Sequence, residues 1–423
     1  MNIQTEKNEE ASQKPQPLTQ MRILSIETSC DETAVSVIDA EGSYHNTTFQ
    51  VRGNALYSQA KKHAAFGGVY PSLAKREHAA NLAPLLGTAL REAKLSIDIN
   101  TQKLTKEQKE YLQKLLVREE GLYHALVTYL EHIEKPALNA IAVTHGPGLE
   151  PALWVGINFA RALSYIWNLP ILAVNHLEGH IIASAVHAED ESAQKYSVEE
   201  ITFPLLGLIV SGGHTEFVYA EDWGKYRVVG ATRDDSIGEA FDKVARLMGI
   251  PYPGGPELSK LANKGRQALI TRPAHLMSVI KKMPRPMLQS GDLDFSFSGL
   301  KTAVLYQVQE LGELSDIQRH LLCAEFEDAV RDVVIKKTAQ ALEQFPARTF
   351  VLGGGVSANT HIRKGLEKMF ASNELDCTLR LPAEGLSTDN AVMIGMAGYF
   401  MHLRNAPMLD AKDDLSASGN LKF

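Results

Sequence analysis

The sequence predicts an α/β protein of two duplicated lobes facing each other across a central cleft, and three observations predict it. A strand–polar turn–strand unit at residues 22–39 returns at residues 205–220. In both units a serine and a threonine four positions apart sit on the turn, Ser29 and Thr33 in the first, Ser211 and Thr215 in the second. A strand that runs into glycines and then into a helix also occurs twice, at residues 140–167 and again from residue 349. Alternating strands and helices indicate an α/β architecture, and the same order of elements in both halves indicates duplication.

Taken in order, residues 22–27 and 34–39 are short apolar runs joined by Thr28-Ser29-Cys30-Asp31-Glu32-Thr33, and a third run follows near residues 44–51. Pro71 opens a long helix whose apolar stripe is Leu73, Ala80, Leu82, Leu85, Leu86 and Leu90; proline suits a first helical position because its missing N–H would have no partner there. Residues 140–144 form a buried strand ending in Gly146-Pro147-Gly148, and a helix covers residues 153–167. In the second half, residues 205–211 and 216–220 flank the turn Ser211-Gly212-Gly213-His214-Thr215, and residues 349–352 run into Gly353-Gly354-Gly355. The expected organisation is a disordered tail at 1–20 and an N-terminal lobe at 21–175. A C-terminal lobe at 176–388, a helix at 389–405 returning to the first lobe, and a tail at 406–423 complete it. Residues 100–135, rich in Lys, Glu, Gln and Leu, read as one or two exposed helices inserted in the first lobe.

Composition bounds the function. The chain has 423 residues, 44% hydrophobic and 22% charged, with a net charge of −7, so it is not a basic nucleic-acid binder as a whole; an RNA substrate would need a local basic patch or a partner. Cys30, Cys323 and Cys377 follow no metal-ligand spacing, and their wide separation fits a reducing cytosol. No apolar run approaches the roughly 18–20 residues of a membrane helix, and the polar first twenty residues lack the apolar core of a signal peptide. A cytoplasmic protein with no membrane partner is expected.

Three sets of residues carry chemistry. In His176-Leu177-Glu178-Gly179-His180 the histidines are i and i+4, so both imidazoles share one helix face. Glu178 stands about 200° round from His176 and is not a metal-side base. Asp389, in Leu386-Ser387-Thr388-Asp389-Asn390, enters an apolar helix, where it is either a third ligand or an ordinary helix cap; two histidines and a carboxylate suit Fe(II), with Zn(II) second. Ser211-Gly212-Gly213, Pro253-Gly254-Gly255-Pro256 and Gly353-Gly354-Gly355 let backbone amides approach an anion, although no Walker A pattern occurs. Asp242 reads either as an acceptor for ribose hydroxyls or as part of a solvated face carrying the i,i+4 pair Glu239 and Lys243. Cys30 is a poor nucleophile beside Asp31 and Glu32, whereas those acids suit the orientation or deprotonation of a substrate amine.

These segments, together with Asp294-Phe295-Ser296-Phe297-Ser298-Gly299-Leu300-Lys301 and residues 353–359, are similar to the universal tRNA N6-adenosine threonylcarbamoyltransferase family, long mislabelled as an O-sialoglycoprotein endopeptidase. Eight motifs occur in family order between about residues 21 and 399. The resemblance implies the two-lobed fold of actin, Hsp70 and sugar kinases, and transfer of threonylcarbamoyl from threonylcarbamoyl-AMP to a tRNA adenosine. It implies His176, His180 and Asp389 as ligands of iron, and Ile209, Val210, Ser211, Gly212, Gly213, Asp242, Gly255 and Asn359 as contacts to the adenylate. It further implies a shorter paralogous subunit and a small P-loop ATPase as partners in bacteria. Asn175, where many bacterial members carry histidine, the insertion and the leading tail depart from the pattern. An ATP-dependent kinase of the same fold and a metalloprotease are the competing readings, the second lacking HExxH. Lys281, Lys282 and Arg285, with Arg272 nearby, are the expected RNA-facing cations.

Overall fold

In the computed structural model, which describes residues 19–96, 103–190, 192, 194–198, 201–271, 276, 279–372, 375–383 and 385–423, the duplication is written into the strand order. The first sheet contains β1 (Thr19–Glu27), β2 (Glu32–Ser43), β3 (Asn46–Ser58), β4 (Ala140–Gly146), β5 (Ile171–Asn175), β6 (His187–Asp190) and β7 (Lys195–Val198). Its order is β5-β4-β1-β2-β3-β7-β6. The second contains β8 (Leu205–Val210), β9 (Thr215–Asp222), β10 (Lys225–Ala231), β11 (Thr349–Gly353) and β12 (Thr378–Arg380), in the order β10-β9-β8-β11-β12. In each, an antiparallel meander is extended by two parallel strands: β4 lies parallel to β1 and β5 to β4, as β11 lies parallel to β8 and β12 to β11. The expected α/β fold of two duplicated lobes is the one observed.

The helices are α1 (Pro71–Glu92), α2 (Lys106–Leu115), α3 (Leu122–Leu130), α4 (Glu150–Trp167), α5 (His176–Ala185), α6 (Ile237–Leu247), α7 (Gly254–Thr271), α8 (Ser298–Leu311), α9 (Asp316–Gln344), α10 (Thr360–Ser372) and α11 (Ala391–Leu403). Strand alternation sends β1 side chains to two cores: Leu24 and Ile26 pack with α1 and α4, whereas Ile23 joins a cluster shared by both sheets. That shared cluster is built on α5 and α11, whose Ile181, Ile182, Met393, Ile394 and Met396 meet Ile38 and Leu172 of the first sheet and Ile209, Val218 and Val351 of the second. Packed between the two sheets, α5 is buried at every residue, its two histidines and Glu178 included. The third core lies in the second lobe, among β8, β9, α6, α7, α9 and α10.

Three expectations are corrected. The first lobe does not end at residue 175, because β7 pairs with β3 and β6 with β7, returning the chain to the first sheet before β8 opens the second. The inserted helices are not simply exposed: Leu112, Leu116, Leu122, Leu126 and Leu130 are buried in the core of the first lobe, α2 packing on α4 and α3 on α1, and Tyr111 stacks on Tyr165 at 3.9 Å. Residues 406–423 are no free tail. Leu409 bridges to Ile171, the Ser418 amide donates to the His145 carbonyl at 2.9 Å, and the Gly148 amide donates to the Gly419 carbonyl at 3.1 Å. Of the expected leading tail, Thr19 and Gln20 belong to β1, and residues 1–18 lie outside the described residues. No helix of the described residues is long and apolar enough to cross a membrane.

Candidate active site

The candidate metal ligands come from the two elements that join the lobes. Asn175 caps α5, its side-chain oxygen accepting from the Leu177 amide at 2.9 Å, so His176 begins the helix and His180 follows one turn later. Their rings stand edge to face, 4.7 Å between centroids. Asp389 arrives on the loop just before α11, which Asn390 caps through the Met393 amide. Its Oδ1 lies 3.1 Å from His180 Nε2 and 3.5 Å from His176 Nε2, and the three ligand atoms fall within 4.8 Å of one another. Asn390, not Asp389, therefore does the capping. Glu178 points elsewhere, pairing with Arg404 and accepting from the Tyr226 hydroxyl. The three donors fit a divalent ion: both Nε2 atoms converge on one carboxylate oxygen, and the Nδ1 of His176 is already held from behind.

That holding group is Glu27, which sequence reasoning missed. Its carboxylate is wholly buried and lies 3.1 Å from His176 Nδ1, while accepting from the Thr144 hydroxyl at 2.6 Å and the Ser29 amide at 2.5 Å. An imidazole that donates Nδ1–H to a carboxylate presents Nε2 as a lone pair, the usual second contact of a metal-bound histidine. Burial alone would lower the His176 pKa, but Asp389 and Glu27 push it up to about 10. Burial opposes ionisation of Asp389, yet His176 and His180 hold it well below the carboxylate range. His180 is lowered by burial. His214, on the turn between β8 and β9, was also missed; burial and then the charges of His176 and His180 push it down to about 4, leaving it neutral beside the same centre.

Four of the eight expected adenylate contacts, Gly212, Asp242, Gly255 and Asn359, line a cavity of about 580 Å³ in the second lobe, together with Gly238 and Glu327 among others; Ser211 and Gly213 stand beside it on the same turn as Gly212. The Ser211 hydroxyl accepts from the Gly213 and His214 amides, which shapes the turn. Gly238 opens α6 so close to that turn that a Cβ would stand 2.6 Å from the Ser211 carbonyl oxygen. Ile209 and Val210 differ from the rest: both side chains are buried in the cores, so only their backbone is available to a ligand. Asp242 lines the cavity and its Oδ1 accepts from the Gly254 and Gly255 amides at 2.8 and 3.3 Å; burial raises its pKa. Glu239 and Lys243 do form their ion pair, at 2.7 Å, apart from Asp242. Asn359 caps α10 through the His361 and Ile362 amides and donates to buried Glu327 at 2.7 Å. Arg266 braces Glu327 and Asp328 beneath it.

Asp31 and Glu32, on the first lobe, do not line the cavity, although Asp31 stands near enough to Asp242 for their charges to interact. The Tyr252 hydroxyl, on the second lobe, donates to Asp31 Oδ2 at 3.3 Å across the cleft. Glu32 is pushed up to about 10 by burial and then by Asp31 and Asp389, which makes it a neutral hydrogen-bond donor at neutral pH and not a resting base. Cys30 is raised by burial, then by Asp31, and is no nucleophile. The expected RNA-facing cations are largely occupied: Arg285 is half-buried between Glu325 and Asp332, and Lys281 pairs with Glu310. Arg272 lies outside the described residues.

Comparisons with known proteins identify the family. The family model described as tRNA N6-adenosine threonylcarbamoyltransferase matches residues 50–101 and 127–396, passing over α2 and the start of α3. Proteins of that name match at 39% identity over 89% of this chain and 90% of the relative in Bacillus subtilis, and at 40% over 90% and 93% in Shouchella clausii. The one from Moorella thermoacetica matches at 38% over 94% and 97%. A crystal structure of T. kodakarensis HypF shares 13% identity at a TM-score of 0.49, covering 92% of this chain and 48% of that one. The chain belongs to the tRNA N6-adenosine threonylcarbamoyltransferase family.

Proposed function

We propose that the cleft transfers the threonylcarbamoyl group of threonylcarbamoyl-AMP to N6 of the adenosine 3′ of the anticodon in tRNAs reading codons that begin with A, releasing AMP. What supports the reading is the neighbourhood of three features: the His176–His180–Asp389 cluster, the acids Asp31 and Glu32, the latter within reach of the Asp389 charge, and the glycine-lined cavity, whose Asp242 feels the charge of Asp31. The N6 amine attacks the carbamoyl carbon, the carbon–oxygen bond to phosphate breaks, and AMP leaves with the electron pair. A weakly nucleophilic amine needs positioning above all. The Ser211–Gly213 turn and Gly255 offer amides to the phosphate and stabilise the departing charge, and Asp242 offers its second oxygen to the ribose. Asp31 takes the amine proton, and Glu32, kept neutral, donates a hydrogen bond beside it.

His176, His180 and Asp389 would hold Fe(II), with Zn(II) the second choice, which when bound would act as a Lewis acid and template at the threonylcarbamoyl end. The protein works in the cytoplasm with a shorter paralogue and a small P-loop ATPase, which complete the tRNA-binding surface of this acidic chain. Neither competing reading gains support from a specific contact, and the pairing of Glu178 with Arg404 counts against a metalloprotease base. Elemental analysis and an assay with synthetic adenylate and unmodified tRNA, in the presence of those partners, test the reading. Equal amounts of AMP and modified adenosine are expected; AMP formation by hydrolysis alone, with tRNA unmodified, would overturn it.

A further inference from the structure

Two large aromatic side chains stand in the open at the mouth of the cleft. Phe66 is 61% and Tyr70 50% exposed, and their rings stack on each other at 5.3 Å with 11° between planes. Their segment is anchored from below: the Tyr70 amide donates to Nδ1 of buried His63, whose Nε2 contacts Gln59 Oε1 at 3.1 Å. Its root is tied to the acids of the site, since the Gln59 amide donates to the Asp31 carbonyl at 2.9 Å and the Ser58 hydroxyl to Glu32 Oε1 at 3.2 Å. Between the aromatics, Gly67 has a φ of +70° and lies against Arg246 of α6, where a Cβ would stand 3.3 Å from the guanidinium. The segment therefore reaches from the first lobe to the second beside Asp242. Arg246 and Lys61 are exposed, and neither is in an ion pair among the described residues.

We propose that Phe66 and Tyr70 form a stacking platform for unpaired bases of the tRNA anticodon loop, with Lys61 and Arg246 contacting the flanking phosphates. This rests on tRNA being the acceptor, as above. N6 of the target adenosine reaches the carbamoyl carbon only if the base leaves its own stack, and its neighbours then need π surfaces to replace the lost ones. Adjacent aromatic faces with nearby cations supply both terms of single-strand binding, base stacking and phosphate neutralisation. The same surface used for a protein partner would have no call for free cations beside a site that must admit a polyanion.

The test uses the full chain with its partners and an anticodon stem–loop RNA carrying 2-aminopurine next to the acceptor adenosine. Phe66→Ala and Tyr70→Ala are each expected to weaken RNA binding about tenfold and to raise KM for tRNA more than they lower kcat. The double variant loses the stacking quench of 2-aminopurine, while Phe66→Tyr and Tyr70→Phe retain it. Affinity for a non-hydrolysable adenylate analogue stays at the wild-type level, showing that the variants are folded. Lys61→Glu with Arg246→Glu makes the salt dependence of RNA binding shallower. Wild-type RNA affinity and quench in the double alanine variant would overturn the platform, as would loss of a partner protein with RNA binding kept. A wild-type chain that modifies no tRNA under any of these conditions would overturn the proposed function itself.

Discussion

Glu27 shows how much of a candidate metal site lies behind its three ligand side chains. With three hydrogen-bond partners and no exposure, its carboxylate fixes the His176 tautomer and ties α5 to β1. Glu27→Ala is expected to lower affinity for Fe(II) or Zn(II) by about 10–100-fold, with Glu27→Gln nearer wild type because an amide oxygen still accepts from Nδ1–H; equal metal affinity in wild type and Glu27→Ala would sink this role. The histidine pair was legible because i,i+4 spacing is a property of any helix, whereas Glu27 was not, being one acid at the end of an apolar strand until β4 and α5 are folded against it. Glu32 carries a pH signature. Its pKa is raised from the ordinary 4.5 to about 10, so the unfolded chain releases this proton across that window while the folded chain keeps it. Folding stability therefore falls as pH rises from 4.5 toward 10. Glu32→Gln removes that loss and should gain on wild type about 1.4 kcal/mol for each pH unit between about pH 5 and about pH 8, measured by urea unfolding at both. A difference that does not grow with pH would refute the assignment.

At the scale of elements, periodicity made the two meanders and the strand–glycine–helix units legible, since each announces itself within a dozen residues. It did not reveal β6, β7 or the docked residues 406–423. These are short or polar, and they are held by backbone pairing to partners distant in sequence, such as Leu409 to Ile171 and Ser418 to His145, which no local pattern encodes. The insertion was legible as helix and misread as exposed. Its leucines at positions 112, 116, 122, 126 and 130 are the amphipathic stripe of a helical pair, and what they cover, the faces of α4 and α1 in the core of the first lobe, became visible only in the fold. Each such leucine contributes about 1.5–3 kcal/mol by leaving water. Leu112→Ala is thus expected to cost about 2–4 kcal/mol in denaturant unfolding while leaving adenylate affinity unchanged, because no residue of α2 or α3 lines the cavity. Wild-type stability in that variant would show that the insertion is a loose appendage after all.

For the whole molecule, the candidate metal centre and the mechanical joint between lobes are the same object. His176 and His180 stand on α5, Asp389 leads into α11, and these two helices fill the cluster shared by both sheets. Glu27 extends the connection to β1 of the first sheet, and the Tyr252–Asp31 contact closes it on the cleft side. An ion held there binds the folded chain and not the unfolded one, so it stabilises by mass action, about 2.7 kcal/mol at a free concentration a hundredfold above its Kd. Because the core it ties is common to both lobes, that gain should belong to the molecule and not to one half. Calorimetry of chelator-treated protein is expected to show one unfolding transition at a lower Tm, restored by Fe(II) or Zn(II), with His180→Ala giving the lower Tm in either condition. The adenylate adds a second increment, since it too binds only the folded cleft. Two separate transitions, with only one of them moved by metal, would show that the lobes unfold independently and that α5 and α11 join them in space without coupling them in energy.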